Sequence, residues 1–202
     1  MPDISEHIAH RLATTGWYVG KSIFAAGLSA RLAQRAHGLA DSHELHRARV
    51  GHNVGAQVNA QLRSDDTRWL EPAPDDASER DAMVPVNALR LHLNEALFLG
   101  AHEVELHFAR YAPGAFYRTH RDRFRDDDAR VLSLVCYLNA DWPENAGGAL
   151  RLHLDDGHHD IAPNMGTSVI FLSEEIEHEV LPAMQTRYSI AAWFRQREIQ
   201  LR

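Results

Sequence analysis

Two hydrophobic periodicities divide the chain. In the first half the period is helical: Ile4, Ile8 and Leu12 recur after Pro2-Asp3 and stop near Gly16, which predicts a short amphipathic helix. Trp17-Tyr18-Val19 reads as a short strand with Ile23-Phe24 at its exit. Ser29 is placed to cap a second helix running to Leu39, with Leu28, Leu32, Ala36 and Leu39 on its buried side. Pro85 at a first turn, followed by Leu89, Leu93, Ala96 and Leu97, marks a third helix ending at Gly100. From Glu103 the period falls to two, with Val104, Leu106 and Phe108 on one face of a strand and His107, Ala109 and Tyr111 on the other. Further strands are predicted around His120 and over 131–138, 149–154, 167–172, 178–181 and 187–194. Short strands separated by Gly, Pro and Asp turns, with no helices between them, indicate an antiparallel sandwich or barrel. The fold class is mainly β with packing helices, the N-terminal helices bracing a sheet.

Between the two regimes, residues 53–82 turn polar and acidic, with Pro72, Pro74 and the run Asp75-Asp76-Ala77-Ser78-Glu79-Arg80-Asp81, and are predicted to form a loop beside the scaffold. Composition narrows the picture further. The chain has 202 residues, 45% of them hydrophobic, enough to bury one sizeable core, so a single domain over 1–202 is expected. Its formal net charge of −7 disfavours a nucleic-acid backbone as partner. The single Cys136 excludes an internal disulfide and, within an apolar run, reads as a buried small hydrophobe. No apolar segment approaches the roughly 18 residues of a membrane span. Asp3 and Glu6 stand where a signal peptide carries Lys or Arg, so the cytoplasm is the expected compartment, with no membrane partner.

Candidate chemistry lies in the His-x-Asp pairs. An imidazole and a carboxylate two apart on a strand share a face, and with a distant third ligand they cover one face of an octahedral Fe(II) while leaving the other open. The chain has three such pairs, and ligand preference alone does not choose among them. His153-x-Asp155 and His158-x-Asp160 flank Asp155-Asp156-Gly157, which reads as a hairpin turn facing water. His43 and His46, three apart on a predicted helix, have a metal-binding spacing but no further ligand to join them, and a solvated face is the favoured reading. His120 and Asp122 differ in following Tyr111-Ala-Pro113-Gly114 on a second strand.

Around that pair the motifs accumulate in order: Tyr111-x-x-Gly114-x-x-Tyr117-x-x-His120-x-Asp122, Tyr137-Leu-Asn-x-Asp-Trp142, Gly147-Gly148-x-Leu150, His178-Glu-Val180, and Arg187-Tyr-x-Ile190-x-x-Trp193. Together they resemble the 2-oxoglutarate and Fe(II)-dependent prolyl hydroxylases, in the branch of the hypoxia-inducible-factor hydroxylases and their bacterial relatives. The resemblance covers most of the chain, clearly from about Arg63 onward. It implies a double-stranded β-helix (jelly roll) over 101–195, with 1–100 supplying helical support and a substrate loop.

The resemblance also implies a division of roles. His178, which follows Asp122 by 56 residues, becomes the third metal ligand beside His120 and Asp122. Arg187 and Tyr137 bind the C5 carboxylate of 2-oxoglutarate, a role suited to the bidentate fork of Arg. Tyr111, Leu150, Val180 and Trp193 line the cosubstrate pocket. Arg63, Asp65 and Trp69 match a loop that folds over peptide substrate, and Arg130 a substrate-contacting arginine. Strand alternation places Ser133 and Val135 on the same inward face as Tyr137. The implied cofactor is Fe(II), with 2-oxoglutarate and O2 as cosubstrates and ascorbate as a candidate reductant.

The implied reaction hydroxylates a prolyl residue in a protein, for instance a translation factor or ribosomal protein, giving succinate and CO2. A small-molecule 2-oxoglutarate oxygenase is the alternative. A non-catalytic binding module is disfavoured by the complete ligand set, and a nucleic-acid demethylase by the acidic charge. Arg123-Phe124 stands where the animal enzymes often carry Asn-Pro, which leaves the target open.

Overall fold

The computed structural model describes residues 4–49, 57–122 and 129–197. The Arg123-Phe124 departure and the start of the predicted loop at Asn53 lie outside the described residues. Three helices come first: α1 (Ile4–Thr15), α2 (Ala26–Asp41) and α3 (Ala77–Leu97). Around and after them run β1 (Trp17–Lys21), β2 (His46–Arg47), β3 (Asp66–Trp69), β4 (Glu103–Tyr111), β5 (Tyr117–His120) and β6 (Arg130–Tyr137). The last five strands are β7 (Leu150–Leu154), β8 (Gly157–Ile161), β9 (Thr167–Leu172), β10 (Glu177–Val180) and β11 (Arg187–Arg195).

The strands form a seven-stranded sheet, β1-β9-β6-β11-β4-β3-β2, and a four-stranded sheet, β5-β10-β7-β8, in which every paired strand is antiparallel. The period of two explains how they stack. Leu106 and Phe108 of β4 join Leu132, Leu134, Ile170, Ile190 and Phe194 against Ile8, Leu12, Leu32, Leu39, Val86, Leu89 and Leu93 of the helices. Ala109 and Tyr111, on the opposite face of β4, join Tyr137, Val169 and Phe171 against Leu150, Leu152 and Val180 of the smaller sheet. The large sheet thus carries a helical layer on one face and the small sheet on the other, the jelly roll braced by N-terminal helices.

Several sequence expectations are corrected. α2 begins at Ala26, before Ser29, whose side chain is buried inside the helix. The helix ends at Asp41, so His43, in a left-handed conformation (φ 59), and His46, on β2, share no helix. The second half of the 53–82 loop is ordered structure: β3 pairs with β4 from Asp66 to Trp69, and α3 starts at Ala77. Pro85 therefore sits inside α3, not at its first turn. The acidic run is a capped helix start, because the Asp76 side chain accepts hydrogen bonds from the backbone N–H groups of Ser78 and Glu79. Glu79 is itself buried and binds Arg35 at 2.8 Å and Arg68 at 3.0 Å, tying α2, α3 and β3 together.

Asp76→Ala should cost about 1 kcal/mol of unfolding free energy at neutral pH, read by urea denaturation. Burial opposes ionisation of Asp76, but the Ser78 hydroxyl, the two N–H groups and Arg35 hold its carboxyl below the ordinary value. A depressed folded pKa gives stability that is present above the unfolded value and lost as pH falls through the folded one. The gap between wild type and Asp76→Ala should therefore close as pH drops below about 4.

Candidate active site

β5 and β10 pair with His120 opposite His178, which brings two imidazoles 58 residues of chain apart to one place. β5 ends at His120, so Asp122 lies two residues past the strand, not on it as the alternation predicted. Its carboxylate still reaches both rings: Oδ1 is 3.4 Å from His120 Nε2 and Oδ2 is 3.6 Å from His178 Nε2. One ligand atom from each residue falls within 4.8 Å of the others, and among the described residues this is the one His/Cys/Asp/Glu group so arranged. The other two His-x-Asp pairs flank the β7–β8 hairpin, where Asp160 is engaged by Arg151 at 2.7 Å and His153 by Glu179 at 3.2 Å.

Backbone contacts set the ring orientations. His120 Nδ1 lies 2.7 Å from the Arg118 carbonyl and His178 Nδ1 3.2 Å from that of Ile176. A carbonyl only accepts, so both rings carry their proton on Nδ1 and turn the Nε2 lone pair inward. The Ser133 hydroxyl donates to Asp122 Oδ2 at 2.6 Å and is backed by Ser173 at 2.9 Å. Burial depresses the His178 pKa to about 4, which keeps it a neutral ligand. Burial would raise the Asp122 carboxyl, but His178, His120 and Ser133 hold it well below the usual carboxylate range. Two neutral imidazoles and one carboxylate, all preset by second partners, fit a divalent metal such as Fe(II).

Beyond the triad, Arg187 is almost wholly buried at the start of β11 and lies over Tyr111 at 4.9 Å and Tyr137 at 5.1 Å. Its Nε and the Tyr137 hydroxyl are buried without a hydrogen-bond partner. Arg187 lines the cavity and Tyr137 stands behind it, and two open donors of this kind fit a carboxylate, the group that the resemblance implies for them. Gly148 makes room for this wall: a Cβ there would stand 2.8 Å from Ala183 Cβ and 3.5 Å from Arg187 Cδ. Burial pushes the Tyr137 phenol up to about 12, against the opposing Arg187 charge, so it stays a donor. The cavity between Arg187 and the triad is lined by Tyr111, Leu150, Val180, Trp193, Ser133 and Val135, and also by Tyr117 and His107, while Tyr137 is not part of its lining.

An outer groove adjoins this cavity and shares Arg63, His107 and Trp193 with it. Trp69, half-exposed on β3, and Arg130 line it, with Arg130 over the Trp193 ring at 3.7 Å. Arg63 and Asp65 are buried as a bidentate pair at 2.7 and 2.6 Å rather than displayed on a loop. His107 was not singled out from the sequence, because one His in an alternating strand looks like any core position. It stacks on Trp193 at 4.8 Å, its Nδ1 has no partner, and burial with Arg63 and Arg130 nearby lowers its pKa to about 3.

Comparison with known proteins agrees with this geometry. Residues 106–195 match the model of the 2OG-Fe(II) oxygenase superfamily. The crystal structure of a Pseudomonas putida prolyl-4-hydroxylase is 40% identical, covers 96% of this chain and 100% of its own, and superposes with a TM-score of 0.88. A Trichoplax adhaerens prolyl hydroxylase, solved with a hypoxia inducible factor oxygen degradation domain peptide, shares the fold at TM-score 0.84 and 23% identity over 96% of this chain and 89% of its own. Egl nine homolog 1 of Rattus norvegicus is 35% identical over 85 residues, which are 40% of this chain and 25% of that protein. The chain thus matches about a quarter of the length of that curated relative. With this fold, the matched superfamily region and a full-length relative at this identity, the chain belongs to the 2OG-Fe(II) oxygenases, in their prolyl hydroxylase family.

Proposed function

We propose that the protein hydroxylates a prolyl residue within a protein or peptide, as a single catalytic domain. The observation that carries this reading is the outer groove lined by Trp69, Trp193 and Arg130, which shares Arg63, His107 and Trp193 with the metal cavity. A free metabolite needs an enclosed pocket, whereas a chain segment needs a channel that it can cross while presenting one ring to the metal. Bound Fe(II), with 2-oxoglutarate and O2, supplies the oxidative decarboxylation to succinate and CO2 that places one oxygen atom on a substrate carbon.

The residues of this chain do the rest. His120, Asp122 and His178 would hold the metal. Arg187 and Tyr137 grip the far carboxylate of 2-oxoglutarate and, with Tyr111, fix how deeply it enters. Leu150 and Val180 are apolar walls that keep water out. Trp69, Trp193 and Arg130 orient the target segment, with Arg63, backed by Asp65, shared between groove and cavity. Arg47, Arg63 and Arg68 of the groove are engaged by Asp66, Asp65 and Glu79, so the groove is not a bare cationic surface. The net charge of −7 then steers basic partners toward the protein and disfavours acidic ones, and translation factors and ribosomal proteins are the first class to screen.

Turnover with Fe(II) and 2-oxoglutarate on proline-containing peptides and on free proline, read by mass spectrometry, tests the proposal. Peptides should gain one oxygen with matching succinate, and Trp69→Ala should lower peptide kcat/KM by about tenfold or more while 2-oxoglutarate affinity holds. Oxygen incorporation into free proline with none into any peptide would overturn it in favour of a small-molecule oxygenase.

A further inference from the structure

Of the three metal-binding residues, His120 has the least support from the core. Its side chain is 16% exposed, against 8% for Asp122 and 6% for His178, and β5 ends on it. What covers it is an unbroken stack. The Tyr117 ring lies against the His120 ring at a centroid distance of 3.6 Å and 16° from parallel. The Arg63 guanidinium lies over Tyr117 at 4.2 Å, and Asp65 clamps that guanidinium with two hydrogen bonds. A backbone bridge between Arg63 and Tyr117 fixes the register of the two segments.

We propose that Tyr117, held by the Arg63–Asp65 pair, is the positioning residue for the metal ligand His120, so that the groove wall and the metal site form one mechanical unit. This rests on the metal role given to His120 above. An imidazole in a strand-end residue can rotate about its χ angles, and the order lost on metal binding is smaller when the ring is already flat against a neighbour. Tyr117 supplies that surface only if it is fixed in turn. Arg63 fixes it by cation–π contact and, being buried, keeps its own place only because Asp65 pairs with it. Burial would lower the Arg63 pKa, yet Asp65 raises it above the ordinary value, so the cation persists. A coordinated imidazole carries partial positive charge, which the electron-rich tyrosine face accommodates. Arg63, which lines the outer groove, is therefore two contacts from the metal ligand His120.

The test is metal affinity of the full chain, without turnover: Co(II) titration followed by its absorption spectrum, and Fe(II) titration under anaerobic conditions, with apo-protein melting as the fold control. Tyr117→Phe keeps the stack and should bind within about twofold of wild type, whereas Tyr117→Leu should bind about 10–100-fold more weakly and show an altered Co(II) spectrum. The double variant Arg63→Met with Asp65→Leu removes the charge pair without leaving a buried charge or amide unpaired and should weaken binding in the same direction by about tenfold. Should Tyr117→Leu fail to fold, the double variant decides. Wild-type affinity and spectrum in folded Tyr117→Leu, or in the double variant when that alone folds, would overturn the proposal. Absence of metal binding in wild type itself would instead sink the oxygenase reading, so the two failures are distinguishable.

Discussion

His178→Ala is expected to abolish functional metal binding, raising the dissociation constant for Fe(II) or Co(II) by more than the roughly 10–100-fold that loss of an outer partner costs. The ring is buried, faces Asp122 at 3.6 Å and stands opposite His120 across β5 and β10, so its loss removes one corner of the triad and leaves two ligands on one short segment. Two ligands do not define a face of an octahedron, and the site then has neither the affinity nor the orientation to hold 2-oxoglutarate. Anaerobic titration should show the charge-transfer band of the wild-type complex with 2-oxoglutarate and none in the variant. An unchanged band would remove His178 from the ligand set. The apo-protein should still melt cooperatively, because the larger, helix-side core does not include this residue.

The second large effect is expected at Arg187. Arg187→Met should raise the 2-oxoglutarate dissociation constant by about 100-fold, near 3 kcal/mol, since it removes a buried charge-assisted grip on a carboxylate. Metal affinity without cosubstrate should be unchanged. Stability should move the opposite way from most core substitutions. Arg187 is buried over two tyrosines with its Nε unpartnered and forms no ion pair with an acid among the described residues, so the unliganded protein bears much of the desolvation of its charge. Methionine fills similar volume without that cost, and the apo-variant should melt at or above the wild-type temperature. A fall in both melting temperature and metal affinity would mean that Arg187 serves packing rather than ligand binding.

Much of this was legible because strand residues report their facing directly. The alternation in β4 separated Leu106 and Phe108 from Ala109 and Tyr111 onto the two faces where they lie, and the ordered motifs contained the three residues that cluster as a His-Asp-His group. The region before Ala82 was harder. Its acidic residues looked solvated, yet Glu79 is buried between Arg35 and Arg68, and Asp65 behind Arg63, because charge pairing across distant segments offsets the burial. No local pattern announces such pairs. Asp76-x-x-Glu79 did carry a helix-start signal, but Pro85 gave a competing one further on. The hydrogen bond from Ser133 to Asp122 and the stack of Tyr117 on His120 depend on tertiary contact, and the sequence showed only which faces those residues occupy.

The pairing of β5 deserves a thermodynamic reading. It meets its one hydrogen-bonded neighbour in the small sheet, β10, at two positions, His178 opposite His120 and Val180 opposite Tyr117, with a register shift between them. On its other side β5 meets the Arg63 segment through the bridge to Tyr117 and the Arg118 N–H bond to the Leu62 carbonyl at 2.8 Å, so a local opening equilibrium would be centred on the β10 side. Coordination by His120, Asp122 and His178 joins the two strands across that seam, so binding free energy is divided between metal–ligand bonds and closure of the seam. The apparent affinity is then the intrinsic affinity scaled by the fraction of molecules with β5 docked, and any contact that docks β5 strengthens metal binding without touching the ion.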